Sequence, residues 1–266
     1  MSKFVTALKS YGQHFLTDKS VLEAISSIVD EHKTTEDLIE IGPGTGALTN
    51  LLIQKFPNLT AVEVDKRCVD FLNQNIKVKH PNFNIIEADF LKLDLKNILT
   101  QPTTIVGNFP YNISSQIIFK VLDNYQQVPV VVGMFQKEMA ERIASTHGKK
   151  SYGVISIFTQ LFYDVTIALD IAPKSFSPPP KVMSSVIILK RKENIQLDFD
   201  FSLFKSVVKM GFNQRRKMLR NALSSVTTKE FLQQDFFSKR AEQLSIQDFI
   251  SLTKEIEQNQ QKEKNL

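Results

Sequence analysis

The chain has 266 residues, of which 42% are hydrophobic and 23% charged, and its formal net charge is +5. This length suits one large domain or a core domain with a small appendage, and the composition is typical of a soluble globular protein. The sequence contains no apolar run of transmembrane length, and its single cysteine, Cys68, excludes an intramolecular disulfide and argues against a thiolate-rich metal site.

The excess positive charge lies in the last third of the chain. Residues 1–189 hold 18 Lys and Arg against 18 Asp and Glu, whereas residues 190–266 hold 15 against 10. This asymmetry predicts a neutral body with a basic appendage, and a nucleic acid is the usual partner of such an appendage. A well-solvated helical surface is the alternative interpretation.

From residue 36 to residue 110, short apolar runs alternate with amphipathic stretches. The starts of the apolar runs are roughly 20 residues apart, the length of a strand plus a crossover helix. This alternation predicts a parallel sheet flanked by helices. The predicted strands are residues 38–41, 59–64, 83–86 and 103–106, and the predicted helices are 47–56, 66–76 and 91–99.

The alternation continues less regularly to residue 192, after which strand signals stop. The run Ser175-Phe-Ser-Pro-Pro-Pro-Lys181 cannot be a helix or a central strand, so we expect a stiff loop there. We place a domain boundary near residues 190–196, which gives domains 1–192 and 193–266 with a disordered tail from residue 258. The later predictions are helices at 113–122, 136–144 and 154–161, strands at 128–135, 163–169 and 185–190, and helices at 199–223, 228–234 and 246–257.

A glycine-rich turn follows the first predicted strand. The stretch Gly42-Pro-Gly44-Thr-Gly46-Ala47 fits the loose pattern G-x-G-x-x-A of dinucleotide sites. Glycines at these positions allow a tight turn into a helix and a close approach of the backbone to a ligand. A purely structural strand-to-helix turn would give the same pattern.

Polar side chains end the next three predicted strands. Glu63 lies 21 positions after Gly42, where a carboxylate would bind ribose hydroxyls, and Asp89 and Asn108 follow. The carboxyl ends of parallel strands meet at one edge of the sheet, and open α/β sheets bind ligands there. The set therefore predicts a nucleoside-bearing cofactor, either NAD or S-adenosylmethionine, whereas Asp65 and Asp94 are expected to cap helices or turns.

The stretch Asn108-Phe-Pro-Tyr-Asn112 favours S-adenosylmethionine. The exocyclic amine of adenine is a poor nucleophile because its lone pair is delocalised into the ring. The amide oxygen of Asn108 and the carbonyl of Phe109 could accept hydrogen bonds from that amine, and Tyr111 offers a ring for stacking. A sulfonium cofactor supplies the electrophile, so the expected work of the protein is orientation.

Asn108-Phe-Pro-Tyr111 resembles the [NDS]-P-P-[YF] motif of amino methyltransferases. Four longer blocks resemble the ribosomal RNA adenine N6,N6-dimethyltransferases, most closely the small-subunit type, and they follow the family's order. The blocks are residues 11–16, 40–46, 107–116 and 176–182. The resemblance implies a Rossmann-like class I methyltransferase fold, with a mostly parallel, seven-stranded sheet and a small all-α C-terminal domain.

The resemblance also implies roles for individual residues. Asn108, Tyr111 and Phe176 would contact the target base, with the two rings on either side of the adenine. Packing in the core is the alternative for both rings. His14 stands where the family commonly has Asn, and Phe109 where it has Leu or Pro. The implied cofactor-binding residues are His14, Leu16, Gly42, Gly44, Glu63, Asp89 and Asn108.

The residues from Arg215 to Arg220 include four cations. In an unbroken helix, Lys205, Lys209, Arg216 and Arg220 would lie within about 60° of one another, unless Gly211 interrupts it. Such a stripe predicts contacts with RNA phosphates, similar to the family's own Arg-Arg-Lys stretch. The predicted RNA-binding residues are Lys181, Arg215, Arg216, Lys217 and Arg220.

The leading hypothesis is an S-adenosylmethionine-dependent enzyme that dimethylates the N6 amines of two adjacent adenosines near the 3′ end of small-subunit (16S) ribosomal RNA. The alternatives are a large-subunit dimethyltransferase of the macrolide-resistance type, a non-catalytic assembly or transcription factor, and a dehydrogenase. We expect no metal, since His32, His80 and His147 lack ligand spacing. We also expect a cytoplasmic protein, because the N-terminal residues resemble neither a signal nor a transit peptide. The expected oligomeric state is a monomer.

Overall fold

The computed structural model describes residues 5–8 and 11–264. The chain forms two compact units. The first contains the residues up to Glu141 together with Phe162–Arg191, and the second contains Arg142–Leu161 together with the residues from Lys192 onward. These two units differ from the predicted division at residue 192 in one segment, Arg142–Leu161, which belongs with the C-terminal helices.

Aromatic packing explains why this segment belongs to the second unit. The ring of Phe158 lies 6.0 Å from that of Phe204, and the ring of Tyr152 lies 6.0 Å from that of Phe212. All these side chains except Phe212 are buried. Burying such rings is among the larger apolar contributions to folding. The segment therefore packs with the C-terminal helices and not with the elements next to it in the sequence.

The first unit is built on a mixed seven-stranded sheet and a small two-stranded sheet. The strands in chain order are β1 (Phe15–Leu16), β2 (Asp37–Ile41), β3 (Asn58–Glu63), β4 (Asn84–Glu87), β5 (Thr104–Asn108), β6 (Val130–Gln136), β7 (Tyr163–Ile171), β8 (Phe176–Ser177) and β9 (Ser184–Arg191). The helices of this unit are α1 (Lys19–His32), α2 (Thr49–Leu52), α3 (Lys66–Leu72), α4 (Ser114–Asp123) and α5 (Lys137–Ile143).

The large sheet has the strand order β4-β3-β2-β5-β6-β9-β7. The four pairings from β4 to β6 are parallel, and the two pairings of β9 are antiparallel. The mostly parallel, seven-stranded α/β sheet expected from the sequence is confirmed. From β2, the next two strands along the chain are added on one side of it, and β5 and β6 are added on the other side. Ligands bind at such a switch point, which here lies between β2 and β5.

One face of the sheet packs against α1, α2 and α3. Leu22, Ile25 and Val29 of α1 share a buried cluster with Leu38 and Val132 of the sheet. Neither α1 nor the pairing of β1 with β8 was predicted from the sequence. Asp18 begins α1 by accepting the amide N–H groups of Ser20 and Val21, which is a standard helix start.

Three predicted helices are shorter in the structure. Residues 47–56 contain only the four helical residues of α2, and 91–99 and 228–234 contain single 3₁₀ turns at Leu95–Asn97 and Phe231–Gln233. In the segment 91–99, the side chain of Asp94 caps the 3₁₀ turn by accepting the N–H of Lys96 at 3.1 Å. The expected capping roles of Asp65 and Asp94 are both confirmed.

The second unit contains α6 (Val154–Phe162), α7 (Phe201–Asn213), α8 (Leu219–Ala222) and α9 (Ile246–Lys264). The predicted helix 199–223 is wrong between α7 and α8. The backbone leaves the helix at Gln214, Met218 is extended, and the N–H of Leu219 donates to the carbonyl of Lys239 at 2.9 Å. Gly211 is not the break, because it lies inside α7 and is buried against Ala241.

The predicted disordered tail is also wrong, because α9 continues to Lys264. Ile256 keeps the apolar face of α9 buried, and the side chains of Asn259 and Gln260 donate to Thr227 and Val226 at 3.1 and 2.7 Å. Residues 265–266 of that prediction lie outside the described residues. None of the described helices is long and apolar enough to span a bilayer.

Candidate active site

A crevice opens at the carboxyl edge of the large sheet, where β2, β3, β4 and β5 end. We call it the cofactor crevice. The predicted cofactor residues His14, Gly42, Gly44, Glu63, Asp89 and Asn108 and the predicted base residue Tyr111 all line it. It also includes Gln13, Phe15, Val64, Phe90 and Phe109, to which the sequence analysis gave no cofactor contact.

The glycine turn forms the floor of the crevice. Gly42 and Gly44 both have positive φ, 66° and 56°. A Cβ on Gly44 would lie 2.7 Å from the ring of Phe15, whereas a Cβ on Gly42 would meet no atom within 4 Å. The Gly44 position therefore requires glycine for packing and conformation, and the space beside Gly42 is open to a ligand.

Glu63 connects the glycine turn to the end of β3. Its carboxylate accepts the backbone N–H groups of Gly44 at 3.0 Å and of Val64 and Asp65 at 2.9 Å. Burial raises the pKa of Glu63, and the three N–H groups oppose that rise. The carboxylate still has lone pairs with which to accept ribose hydroxyl groups.

Asp65 and Gln13 form a second polar layer beside Glu63. The Nε2 of Gln13 donates to Asp65 at 3.0 Å, and the guanidinium of Arg67 pairs with the same carboxylate at 2.5 Å. The hydrogen bond from Arg67 is the largest cause that lowers the pKa of Asp65. Asp65 thus both begins α3 and holds the segment before β1 against the crevice.

Asp89 lies just after β4, where the sequence placed it. Its Oδ1 accepts the N–H of Leu91 at 3.0 Å, which holds the turn, and its side chain remains 35% exposed on the crevice wall. Its Oδ2 lies 3.9 Å from the Nζ of Lys92, which is beyond hydrogen-bond distance, so this oxygen can still accept a ligand amine or hydroxyl. Phe90 lies beside it and gives this end of the crevice an apolar surface.

The side chain of Asn108 has a defined orientation. Its Nδ2 donates to the backbone carbonyl of His14 at 2.8 Å. Since a carbonyl can only accept, the nitrogen arm of the amide must face His14, and the oxygen arm is left as an acceptor. Asn108 lies on the crevice wall, so this acceptor belongs to the site.

Phe109 anchors the loop that carries Tyr111. Its N–H donates to the carbonyl of Met134 at 3.2 Å, and its fully buried ring lies edge-on to Phe135 at 5.1 Å. A Cβ on Gly107 would lie 2.7 Å from this ring. The bulk of Phe109 therefore fits because the neighbouring strand position is a glycine.

Tyr111 and His14 lie together on the wall of the crevice. Their rings are stacked at 5.6 Å with a 24° angle between planes. The Tyr111 hydroxyl is 2.6 Å from the Oγ of Ser184, and burial raises the pKa of Tyr111. The Nδ1 of His14 lies 2.8 Å from the carbonyl of Pro178, so Nδ1 carries the hydrogen.

Phe176 is not on the crevice wall. It pairs with Leu16 between β8 and β1 and belongs to the buried core, with 4% of its surface exposed. The structure therefore brings Asn108 and Tyr111 together but does not bring Phe176 to them. Lys181 is exposed on the loop that follows the three prolines.

An apolar cavity adjoins the crevice and shares Phe15, Gly42 and Asn108 with it. Leu16 lines this cavity rather than the crevice. The acid on its wall is Glu40, which is 2% exposed and accepts the hydroxyl of Thr49 at 2.6 Å. Burial raises the pKa of Glu40 to about 7. Glu40 lies within the glycine motif, but its place inside a strand gave the sequence analysis no reason to assign it a role.

The predicted RNA-binding cations of the second unit differ in their surroundings. Arg215 pairs with Glu242 at 2.9 Å and also donates to the carbonyl of Lys150. Arg216 and Lys217 are exposed in the turn between α7 and α8. Arg220 is half-buried, and its Nε has no hydrogen-bond partner among the described residues. The predicted continuous stripe is wrong, because this turn breaks the helix.

No group of three or more His, Cys, Asp or Glu side chains in residues 5–8 and 11–264 is arranged to hold a metal ion. Cys68 is fully buried, and burial raises the pKa of its thiol to about 12. A thiol in such an environment is a poor nucleophile, because the reactive form is the thiolate.

The chain is similar to known proteins over most of its length. The family model described as ribosomal RNA adenine dimethylase matches residues 5–258. The chain is 45% identical over 255 residues to the ribosomal RNA small subunit methyltransferase A of Parabacteroides distasonis, and the match covers 94% of each chain. It is also 45% identical over 253 residues to the protein of the same name from Cytophaga hutchinsonii, covering 94% of this chain and 96% of that one.

A solved structure shows the same fold. The dimethyladenosine transferase from Plasmodium falciparum is similar to this chain with a TM-score of 0.79 and 25% sequence identity. The similarity covers 92% of this chain and 98% of that one. The likeness therefore includes the C-terminal helices as well as the sheet that carries the crevice.

Proposed function

Because the chain belongs to the ribosomal RNA adenine dimethylase family, we propose that it uses S-adenosylmethionine to dimethylate the N6 amines of two adjacent adenosines in small-subunit ribosomal RNA. The observation that carries this proposal is the placement of an amide acceptor, Asn108, and a held aromatic ring, Tyr111, on one glycine-floored crevice. The alternative of a large-subunit enzyme is not favoured, since the curated relatives at 45% identity are small-subunit enzymes.

The residues of the crevice fit the proposed cofactor. The open space beside Gly42 admits a ligand against the backbone, and Glu63 and Asp89 offer acceptors for hydroxyl and amine hydrogens. Gly44 and the backbone around His14 complete the cradle. When bound, S-adenosylmethionine supplies a methyl group on a positively charged sulfur, so the protein needs no metal or nucleophilic side chain to activate it.

Asn108 acts on the target amine. Its oxygen arm accepts a hydrogen bond from the N6 amine, and the backbone carbonyl of Phe109 accepts a second. In the first transfer these two bonds favour the pyramidal amine, whose lone pair is then available to attack. In the second transfer the monomethylated amine has one N–H left and donates one such bond. The nitrogen loses a proton to solvent after each transfer, so the described side chains position the amine and do not need to deprotonate it first.

Tyr111 orients the base. Its hydroxyl is fixed by Ser184 and its ring by the stack with His14, so the ring is ordered before the base arrives. A held ring loses little conformational entropy when a base stacks on it. The role of Phe176 as a second ring is proposed from the family resemblance alone, and it requires the ring to leave the core.

RNA phosphates are the proposed ligands of the exposed cations Lys181, Arg216 and Lys217. Such contacts provide affinity, while the crevice selects the base. Arg215 and Arg220 were predicted to share this role. We propose a weaker contribution from them, since Arg215 is already paired with Glu242 and Arg220 is half-buried. We also propose that the protein acts as a monomer in the cytoplasm, where ribosomal subunits assemble.

Labelled methyl transfer tests the proposed function. Small subunits from a strain that lacks this methylation would be incubated with the protein and labelled S-adenosylmethionine, and digested RNA analysed by nucleoside mass spectrometry. We expect N6,N6-dimethyladenosine in the small-subunit RNA, and a loss of roughly 100-fold in rate for Asn108→Ala. Label in large subunits instead, or equal incorporation by Asn108→Ala, would contradict the proposal. Absence of any label would favour a non-catalytic assembly factor.

A further inference from the structure

Two adjacent large apolar side chains are exposed on the loop that follows the three prolines. Val182 is 44% exposed and Met183 is 37% exposed, and Lys181 before them is exposed as well. We call Lys181–Met183 the loop tip. Six other large apolar side chains among the described residues are comparably exposed, but no two of those are consecutive in the sequence, so the adjacent pair calls for an explanation.

The loop tip is held in place at both ends. The carbonyl of Met183 accepts the N–H of Lys137 at 2.9 Å, and the carbonyl of Pro178 meets Nδ1 of His14 at 2.8 Å. Pro180 between them is buried. Because the backbone is fixed on both sides, Val182 and Met183 cannot easily fold back into the core to cover their apolar surface.

The loop tip lies next to the proposed base site. The residue after Met183 is Ser184, whose Oγ is 2.6 Å from the hydroxyl of Tyr111. Pro178, at the other end, is bonded to His14, and His14 is stacked on Tyr111. The residues on either side of the exposed apolar pair therefore contact the ring on which the target adenine would stack, Ser184 directly and Pro178 through His14.

An enzyme that modifies a base must take that base out of its stack, which leaves a gap between the neighbouring bases. Nucleic-acid-binding proteins commonly fill such gaps with apolar side chains, Met among them, which offset the cost of unstacking. A cation beside the wedge would contact the flanking phosphate. The loop tip has this composition, with Lys181 preceding Val182 and Met183.

We propose that Val182 and Met183 form an apolar wedge that enters the RNA stack beside the target adenosine and keeps it open while the base occupies the crevice. This inference rests on the proposed function for the identity of the substrate. It assigns a distinct task to each part of the loop tip: Lys181 contributes affinity, and the apolar pair contributes the opening of the stack.

Polar replacements of similar shape test the wedge. Single-turnover methyl transfer to unmethylated small subunits, at saturating S-adenosylmethionine, would be compared for three variants. For Val182→Thr with Met183→Gln we expect at least a roughly tenfold loss of the maximal rate, since unstacking is no longer offset. Val182→Ile with Met183→Leu should stay within about twofold of wild type. So should Ile167→Thr, which changes an apolar side chain 41% exposed on β7.

Salt dependence separates the wedge from simple RNA affinity. Lys181→Ala should require a higher subunit concentration and recover at low salt, because its loss is electrostatic. The defect of the Thr and Gln double variant should persist at low salt. Binding of S-adenosylhomocysteine, measured by calorimetry, should be unchanged in every variant, which shows that the crevice is intact.

Three results would overturn the wedge alone: wild-type rates in the Thr and Gln variant, recovery of that variant at low salt, or an equal loss in the Ile and Leu variant. If the wild-type protein transfers no methyl group to small subunits, the proposed function fails and the wedge with it. The two failures are therefore distinguishable in the same assay.

Discussion

Asn108 is the residue whose geometry determines what the site can do. Its nitrogen arm is engaged by the carbonyl of His14, so its oxygen arm is the acceptor that remains. The sequence placed Asn108 at the end of a strand, because the alternation of apolar runs predicted four strand ends. The first of these ends in the glycine turn and the other three in polar residues. The orientation of its amide could not be predicted, since it depends on a carbonyl 94 positions earlier in the chain.

Asn108→Asp tests this orientation. A carboxylate cannot donate to the His14 carbonyl and would be repelled by it, so we expect a loss of methyl transfer of roughly 100-fold at pH 8. Protonation restores a donor, so the rate should increase as the pH falls towards 5. Single-turnover rates across this range check the prediction, with Asn108→Ala as the control that stays low at every pH. A single-turnover rate of Asn108→Asp that does not change with pH would contradict this prediction.

Glu40 predicts a pH dependence of stability. Burial raises its pKa from 4.5 to about 7 in the folded state. The folded protein therefore holds a proton that the unfolded chain releases, so stability falls as the pH rises from about 4.5 to 7. Glu40→Gln removes this loss while keeping an acceptor for Thr49. We expect its free energy of unfolding to gain up to roughly 3 kcal/mol relative to wild type between pH 4.5 and 8.

Urea unfolding of both proteins at pH 4.5 and pH 8 measures this difference. Glu63 also has a raised pKa, and its charge is one of the causes that raise the pKa of Glu40, so the comparison measures the pH dependence of this coupled pair, to which burial of Glu40 contributes most. A stability difference that is the same at the two pH values would show that the pKa of Glu40 is not raised in the folded protein.

At the scale of elements, α1 depends on one side chain. Asp18 caps the helix through Ser20 and Val21 and also accepts the hydroxyl of Ser175 at 2.9 Å. We expect Asp18→Ala to lower the free energy of unfolding, because the helix loses its cap and this link is lost with it. Asp18→Asn, which retains a capping oxygen, should lose less. Urea unfolding checks both variants, and equal losses would contradict the capping argument.

The elements also show where sequence patterns fail. The strands of the sheet were predicted well, because buried parallel strands appear as apolar, β-branched runs with turn residues at their ends. The helix 199–223 was overpredicted, because α7 and α8 both have helical periodicity and the break at Gln214–Met218 contains neither Gly nor Pro. There the extended chain is held by the distant carbonyl of Lys239, which no local pattern indicates.

At the scale of the whole molecule, the excess positive charge of the C-terminal third predicts salt-dependent RNA binding. Arg216→Ala with Lys217→Ala should weaken binding to small subunits and reduce the slope of log affinity against log salt by about 2. Arg215→Ala should leave the slope nearly unchanged. Its ion pair with Glu242 is over a third exposed on the arginine side, so the expected loss of stability is below about 1 kcal/mol.

Filter binding at several salt concentrations measures these slopes, and urea unfolding measures the stability of Arg215→Ala. A reduced slope for Arg215→Ala, or an unchanged slope for the double variant, would contradict the assignment. The charge asymmetry itself was evident from composition, whereas the pairing of Arg215 with Glu242 was not, because the two residues are 27 positions apart and separated by irregular turns.

The antiparallel pairing of β1 with β8 affects when the cofactor crevice can form during synthesis of the chain. His14, whose backbone carbonyl orients Asn108, is itself held by Pro178, 164 positions later in the chain. While the polypeptide is being synthesised, the glycine turn and all four strand ends emerge well before residue 178. A nascent chain shorter than this lacks the partners that hold His14, so the methyl donor should bind firmly only after that part of the chain has left the ribosome.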